Sequence, residues 1–493
     1  MSHHPNFALP SIPAGLPVGP GWVSDLPTAP VVFPYDQSVV AQAPWGQPEH
    51  AQQALDAGAA AVRPVGRLTS AVRRAILLDV HSSLQRHSDE LVELLIAETG
   101  KVRRDCEVEV SRTLFTWSAA AEEVARIHGE TVPLDMQASG AGMIGFWNRR
   151  PIGLVVGIAG FNAPLLLASH KIAPSLAAGC PVICKPAPAT PLSTLWLAAL
   201  VREAASAHGA PQEIIQVVTG DAEVGRSLVT DPRVAAVSFT GSDAVGHQIA
   251  RDAAPRKTLL ELGSNTALVV DEDADLAKAA DAAVRGGYYF NGQACIAVQR
   301  IIVCESVREE FLAELAPRVS RLRVGDPRQA DTDVAPLIND AATQRTMEWI
   351  RRAEEAGAQV IHGGEIIGGG PDSAGTVEPT VLLDVPETAE AWCEEIFAPV
   401  VAVQSVPDLD AALEMVNRSR YGLHASIFTG SLAHAFRAVE ELEVGGVVVN
   451  EVPGFRSDIM PYGGVKDSGV GREGPRFAIE ELTVTRMAII RPE

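Results

Sequence analysis

The run Phe290-Asn291-Gly292-Gln293-Ala294-Cys295-Ile296 places a thiol directly after a polar, glycine-containing turn and just before an apolar run at 301–303. A cysteine at an element terminus can be reached by a substrate and ionised, which is what nucleophilic thiol chemistry needs. A second arrangement is Ser238-Phe239-Thr240-Gly241-Ser242 followed by Gly246, an apolar strand-like run ending in small residues that open a helical run. Backbone N–H groups at such a helix start point outward with the positive end of the helix dipole, a ready seat for a phosphate or pyrophosphate. Neither motif is decisive alone. A single cysteine is more often a small buried hydrophobe, and a glycine turn between strand and helix is more often a mere connection.

The elements that must position these residues follow from hydrophobic period. Val72, Ile76, Val80 and Leu84 recur every four residues, so the stretch from 49 to 98 reads as packed helices, with Ser88-Asp89-Glu90 as a capped acidic helix start. From Gly153 onward short apolar runs alternate with Ala/Leu-rich runs. Strands are predicted over 154–158, 182–185, 214–218, 235–239 and 258–261, with helices over 165–178, 193–207, 222–229 and 244–253 between them. That alternation predicts parallel strands with helical crossovers, hence a doubly wound α/β lobe. A second alternating set, with strands at 267–270, 300–303, 400–403 and 446–449, predicts a second α/β lobe in tandem.

Composition narrows the class. The chain has 493 residues, about three domain-equivalents, and 47% of them are apolar, enough for a large core. Its formal charge of −21 argues against a surface built for nucleic acid or anionic lipid. The six cysteines (Cys106, Cys180, Cys184, Cys295, Cys304 and Cys393) are too sparse for a disulfide framework and include no CxxC pair, so a reducing compartment and no metal site are expected. The longest nearly apolar stretch, 172–184, is too short to span a bilayer, and no lysine or arginine precedes Arg63, so a cytoplasmic protein without a targeting peptide is expected. Residues 1–34 hold eight prolines and are predicted to form an extended or partly disordered arm.

Seven motifs then fall in one order. They are Phe161-Asn162-Ala163-Pro164-Leu165, Lys185-Pro186-Ala187-Pro188, Phe239-Thr240-Gly241-Ser242, Glu261-Leu262-Gly263-Ser264-Asn265, Gly292-Gln293-Ala294-Cys295, Glu394-Glu395-Ile396-Phe397-Ala398-Pro399 and Pro461-Tyr462-Gly463-Gly464-Val465-Lys466-Asp467-Ser468-Gly469. As an ordered set, from about Arg67 to the C-terminus, they resemble the NAD(P)-dependent aldehyde dehydrogenase superfamily. The resemblance implies a Rossmann-type cofactor domain (35–265, interrupted near 140–150), a catalytic α/β domain (266–450), and a closing segment (451–493). That last segment would supply a substrate loop and an oligomerisation tail. A small β extension built from 142–149 and the tail would pair subunits into a homodimer or homotetramer.

The resemblance also assigns roles. Cys295 would attack an aldehyde as thiolate, and the Asn162 amide with the Cys295 backbone N–H would hold the developing oxyanion. Glu261 would activate the water that releases the acid. Its presence speaks against a coenzyme-A-acylating semialdehyde dehydrogenase. With Cys295, Asn162, Lys185 and Glu395 intact, it also speaks against a non-catalytic binding protein. On the cofactor side the resemblance implies Lys185, Gly241, Ser242, Gly246, Leu262, Glu395 and Phe397. Where many NAD-preferring members carry a glutamate three residues after the lysine, this chain has Pro188, which cannot hold a ribose hydroxyl and does not repel a 2′-phosphate, so NADP as well as NAD is expected. Ala163 and Ala294 are expected to leave room near the reacting carbon for a small or polar aldehyde. Arg456, in Phe455-Arg456-Ser457-Asp458, is expected either to bind an anionic substrate group or to be an ion-paired loop residue.

Overall fold

The computed structural model describes residues 7, 9–368 and 375–492. The chain builds two large open sheets, and the order of their strands sets where a ligand can bind. The first sheet has the spatial order Gly469–Val470, Lys257–Glu261, Val234–Thr240, Leu154–Ile158, Val182–Lys185, Ile215–Val217. Its strands run parallel except Gly469–Val470, which closes one edge antiparallel to Lys257–Glu261. The chain starts in the middle with Leu154–Ile158, winds outward to Ile215–Val217, and then crosses back to Val234–Thr240 on the other side. Leu154–Ile158 and Val234–Thr240 are neighbours, paired up to Ile158 and Phe239, and the chain leaves their carboxyl ends toward opposite edges of the sheet; this is a topological switch point, the place where open α/β sheets hold their ligands. Asn162 follows the first of these strands and Gly241-Ser242 the second.

Helices Pro164–Ala178, Leu192–Ala207, Ala222–Thr230 and Asp243–Ala253 form the crossovers, within a residue or two of the predicted limits. The second sheet runs Gln359–His362, Thr380–Leu383, Val400–Val406, Arg300–Cys304, Ala267–Val270, His424–Phe428, Gly446–Val449, parallel except for its first strand. Apolar side chains cover both of its faces, as a parallel sheet requires. Residues 262–266 carry the chain directly from the end of the first sheet into the second. A third, antiparallel sheet joins Glu130–Val132, Ile144–Pro151 and the C-terminal strand Thr483–Ile490.

Two expectations are corrected here. From residue 9 onward the proline-rich arm is neither free nor unfolded: Ile12, Leu16 and Val18 are buried in the core of the first lobe, and Thr28–Val32 pairs with Val39–Pro44 as a hairpin. Prolines bar the arm from helices and central strands, but its apolar side chains still gain by burial. The remaining arm residues, 1–6 and 8, lie outside the described residues. Ser88 is not a cap either. His87 holds the cap position of helix Ser88–Thr99, and the Ser88 hydroxyl donates backward to Leu84 O and Gln85 O. Among the described residues no helix is long and apolar enough to cross a membrane.

Candidate active site

At the switch point, between the carboxyl ends of the first sheet and the entering ends of the second, lies a cavity of about 210 Å3. Asn162, Gly241, Ser242, Glu261, Leu262, Cys295, Glu395, Phe397 and Arg456 line it, together with Thr240, Tyr462 and Glu473. Segments more than 300 residues apart in sequence thus converge on one space, as the ordered motifs implied.

The turn that carries the thiol is tightly wound. Phe290, Asn291 and Gly292 have φ of 53°, 56° and 72°, all left-handed, so three consecutive residues depart from ordinary backbone preference. Gly292 is required twice over, because a Cβ there would also lie 2.1 Å from the backbone of Ala398. The turn is held from outside. Asp105 accepts the Phe290 N–H at 2.7 Å, and Asn291 Oδ1 accepts the Ala335 N–H at 2.9 Å.

Helix Arg103–Glu123 supplies that support from one face. Asp105 braces the thiol turn. Glu109, four residues on, accepts the N–H groups of Leu165 and Leu166 at 3.0 and 3.2 Å, capping the helix that follows Asn162, and Lys101 neutralises it. Arg112, three further on, grips Asp458 with two bonds of 2.8 and 3.0 Å. None of these was among the sequence candidates, although two acids on the buried face of a helix were a visible signal.

Asn162 donates through Nδ2 to Gln293 O at 2.8 Å, which fixes the orientation of its amide and leaves the second N–H of that nitrogen free to face a ligand. Cys295 Sγ lies 3.0 Å from Tyr462 Oη. Burial pushes the Cys295 thiol up to about 11; the Tyr462 hydrogen bond and the Arg456 charge pull the other way, against Glu395 and Glu261. The sequence expectation of an accessible thiol holds only in part, since the side chain is half-buried. Glu261 ends the strand Lys257–Glu261. Its Oε2 is buried with no hydrogen-bond partner, and burial, reinforced by the charge of Glu473, raises its carboxyl well above the ordinary 4.5. Glu395 accepts the Ser264 N–H at 2.9 Å, and burial raises it to about 7.

Beneath these groups lies a denser set of charges. Burial opposes ionisation of Glu473, but Lys171, His170 and Arg456 outweigh it and hold the carboxyl well below its ordinary value. Lys171 bonds Glu473 and also donates to Thr240 Oγ1 at 2.6 Å; Arg456 donates to Glu473 Oε2 at 3.2 Å. His170 sits 3.1 Å from Glu473 and 3.3 Å from Asp458, close enough for ion pairing but off the hydrogen-bonding angle. Asp458 is likewise held low, against its burial, by His170 and Arg112.

Not every sequence candidate lines the cavity. Ala163 and Ala294 are 4% and 8% exposed and belong to the hydrophobic core, so the expectation that they widen the substrate space is corrected: both side chains turn inward at the ends of their elements. Gly246 lies within helix Asp243–Ala253, where a Cβ would meet Leu262 at 2.2 Å; its part is to let that helix approach Leu262. Lys185 and Pro188 lie apart, at the end of Val182–Lys185. Burial lowers the Lys185 ammonium to about 8, and it donates to Pro186 O at a long 3.5 Å, while Pro188 is exposed. A buried cation with so weak a partner, a helix start at the cavity rim and a buried carboxylate at Glu395 together suit a dinucleotide. The cation would face a ribose, the N–H groups a pyrophosphate, and the carboxylate the second ribose. Away from the cavity, Asp271, Asp273 and His434 approach one another, but His434 Nδ1 is bonded to Asp271 at 2.6 Å and Asp273 to Thr429 and Gly430.

Comparison with known proteins agrees with this geometry. Residues 22–488 match the family model described as the aldehyde dehydrogenase family. A 3-sulfolactaldehyde dehydrogenase of Priestia aryabhattai is 40% identical, over 85% of this chain and 86% of its own. The crystal structure of aldehyde dehydrogenase 21 from Physcomitrella patens, in complex with the reaction product succinate, superposes with a TM-score of 0.90 at 34% identity, covering 96% of this chain and 97% of that one. The glyceraldehyde-3-phosphate dehydrogenase of Methanocaldococcus jannaschii, complexed with NADP, gives a TM-score of 0.90 at 32% identity over 95% and 100%. The chain belongs to the aldehyde dehydrogenase family and is an NAD(P)-dependent oxidoreductase of the aldehyde group.

Proposed function

We propose that this enzyme oxidises a small aldehyde bearing an anionic group to its carboxylic acid, with Cys295 as nucleophile and Arg456 as the anion's anchor. The observation that carries the substrate reading is the Arg456 guanidinium. Its side chain is 6% exposed and lines the same cavity as the thiol; it is ion-paired, as the second sequence expectation had it, with Glu473 at 3.2 Å and through Nε with Asp458 at 3.4 Å, yet that Nε makes no hydrogen bond. A guanidinium carries five donors in a fork, so those that its two ion pairs leave unused can serve an anionic ligand in the cavity. Of the relatives above, one is named for a sulfonated aldehyde, one for a phosphorylated aldehyde, and one holds a dicarboxylate product.

In this reading the Cys295 thiolate adds to the carbonyl carbon, and the Asn162 amide and Cys295 N–H receive the oxyanion. NAD(P)+, when bound, supplies the hydride acceptor that turns the thiohemiacetal into a thioester. Lys185, Ser242 and Glu395 would hold it. Glu261 then takes a proton from water as that water attacks the thioester; the C–S bond breaks, and the acid leaves. A carboxylate raised by burial is suited to this, since it is a stronger base than an ordinary exposed one. We also propose a homo-oligomer paired through the Thr483–Ile490 sheet, whose Met487, Ile489 and Ile490 are exposed, and a reducing cytoplasmic setting, consistent with six unpaired cysteines.

The test is a panel of small aldehydes, anionic and neutral but matched in length, assayed with each cofactor on the parent and on Arg456→Lys. The parent should favour the anionic members. The lysine variant, which keeps the charge but loses the fork, should lose roughly 10- to 100-fold in kcat/KM on those members alone. An equal loss on neutral aldehydes would overturn the anchor role.

A further inference from the structure

We propose that Tyr462 is a catalytic residue, whose hydroxyl donates a hydrogen bond to the Cys295 sulfur and holds it as thiolate for attack. The geometry is specific. Tyr462 Oη lies 3.0 Å from Sγ. The ring is 2% exposed and gripped from two sides: the Arg456 guanidinium carbon stands 3.7 Å from its centroid, and the His424 ring packs at 5.1 Å and 59°. Its backbone is tied to the floor of the cavity by a reciprocal pair, Tyr462 N–H to Glu473 O at 3.2 Å and Glu473 N–H to Tyr462 O at 2.7 Å. A ring so held has little freedom except rotation of the hydroxyl, and that hydroxyl ends at the sulfur. With Ile296 and Leu423, the tyrosine forms a small apolar cluster against which Cys295 itself packs.

The direction of the bond follows from charge state. While Cys295 is a thiol, either partner can donate. Once it is a thiolate, only the phenol can, and a hydrogen bond to an anion is about twice as strong as one between neutral groups. The bond therefore favours ionisation, in the pocket where ionisation is otherwise opposed. The charged and titratable groups facing the thiol are Glu261, Glu395, Tyr289 and Arg456. Both carboxylates disfavour a thiolate, and only Arg456 joins Tyr462 in supporting one. Burial keeps the Tyr462 phenol itself well above its usual 10, so it still carries its proton when the thiol has lost its own. Arg456 thus has a second part, as a positioning residue that pins the tyrosine face.

This inference rests on Cys295 being the nucleophile, and the experiment separates the two. Tyr462→Phe removes one oxygen and keeps the ring, its Arg456 stack and its packing. The rate of Cys295 alkylation by iodoacetamide is followed against pH in the full-length enzyme, with the labelled peptide quantified so that other cysteines do not contribute. The variant should show its profile displaced to higher pH, labelling at neutral pH slowed roughly tenfold, and kcat lowered by a similar factor with KM for the aldehyde little changed. An unchanged profile and labelling rate would overturn the role of Tyr462. Should Tyr462→Phe fail to fold, 3-fluorotyrosine placed at 462, a stronger donor, must displace the profile to lower pH; no displacement overturns the proposal equally. Turnover that survives full labelling of Cys295 would instead remove the nucleophile assignment, and the alkylation profile would still report on the bond.

Discussion

Two buried carboxyl groups share one cavity and are pushed in opposite directions. Glu473 is surrounded by Lys171, His170 and Arg456 and is held ionised, while Glu261 has one oxygen without any partner and is driven toward its neutral form. Both are 3–5% exposed, so burial does not separate them; partnership does. The same division runs through the whole site. On the floor, Asp458, Glu473, Arg112, Lys171 and Arg456 pair off, whereas Cys295, Glu261 and Glu395 on the reacting wall are shifted up by burial. A wall of poorly compensated groups is held in place by a floor of compensated ones, which is how a fold can keep proton-exchanging groups in a dry cavity without losing their geometry.

Exchanging each glutamate for glutamine should produce crossed outcomes, and these are the largest effects expected. Glu261→Gln should lower turnover by roughly 10^2- to 10^4-fold through loss of the base, with thermal stability unchanged or raised, because a costly buried carboxyl is replaced by a neutral amide. Rapid mixing should show one fast turnover followed by stalled thioester hydrolysis. Glu473→Gln should do the reverse in kind, costing about 3–5 kcal/mol in urea unfolding because Lys171 is left buried without its counter-charge. If both variants lose stability equally, the division between floor and wall is wrong.

The pH dependence of stability sharpens the same contrast with smaller effects. For Glu473 the folded value lies below the unfolded 4.5, so its contribution is present above that value and is lost as pH falls through the folded one. For Glu261 the folded value lies above 4.5, so the folded state holds the proton more tightly and stability declines as pH rises from 4.5 through the raised value. Urea midpoints measured across that range should therefore show the margin of Glu261→Gln over the parent growing with pH. The deficit of Glu473→Gln should instead shrink as the solution is acidified. Turnover, which in the proposed mechanism uses Glu261 as a carboxylate, should rise over the same interval in which the first margin opens.

These contrasts were only partly readable from sequence. The strands and crossover helices of the first lobe announce themselves through period and composition, since a parallel strand is apolar on both faces and its crossovers are Ala/Leu-rich. Cys295, Asn162 and Glu261 were found because each sits in a recognisable run. Lys171 and His170 were not singled out, although a lysine and a histidine side by side within Pro164–Ala178, a helix whose every residue is buried, were themselves a signal that polar or acidic partners must face them. Tyr462 and Glu473 lie within or just after a motif already quoted, yet no spacing reveals that a hydroxyl meets a sulfur 167 residues away. Ala163 and Ala294 failed for a related reason: at the end of an element, period no longer tells which way a side chain turns.

The smallest effect is expected at a third position, outside both regions. Pro188 is exposed at the end of the cofactor sheet, where neither burial nor a fixed partner amplifies a charge. Proline carries no charge to repel a 2′-phosphate, and Pro188→Glu would introduce a carboxylate at the position proposed to face the adenosine ribose, three residues after Lys185 at the strand's end. In water-facing surroundings two anions a few ångströms apart repel by about 1 kcal/mol, so kcat/KM with NADP should fall roughly five- to tenfold while that with NAD holds or rises. Aldehyde KM and melting temperature should not move, because the substitution touches neither the floor nor the wall. A large loss with both cofactors would mean that Pro188 shapes the turn rather than the choice of cofactor, and strict exclusion of NADP by the parent would mean that the discriminating group lies elsewhere.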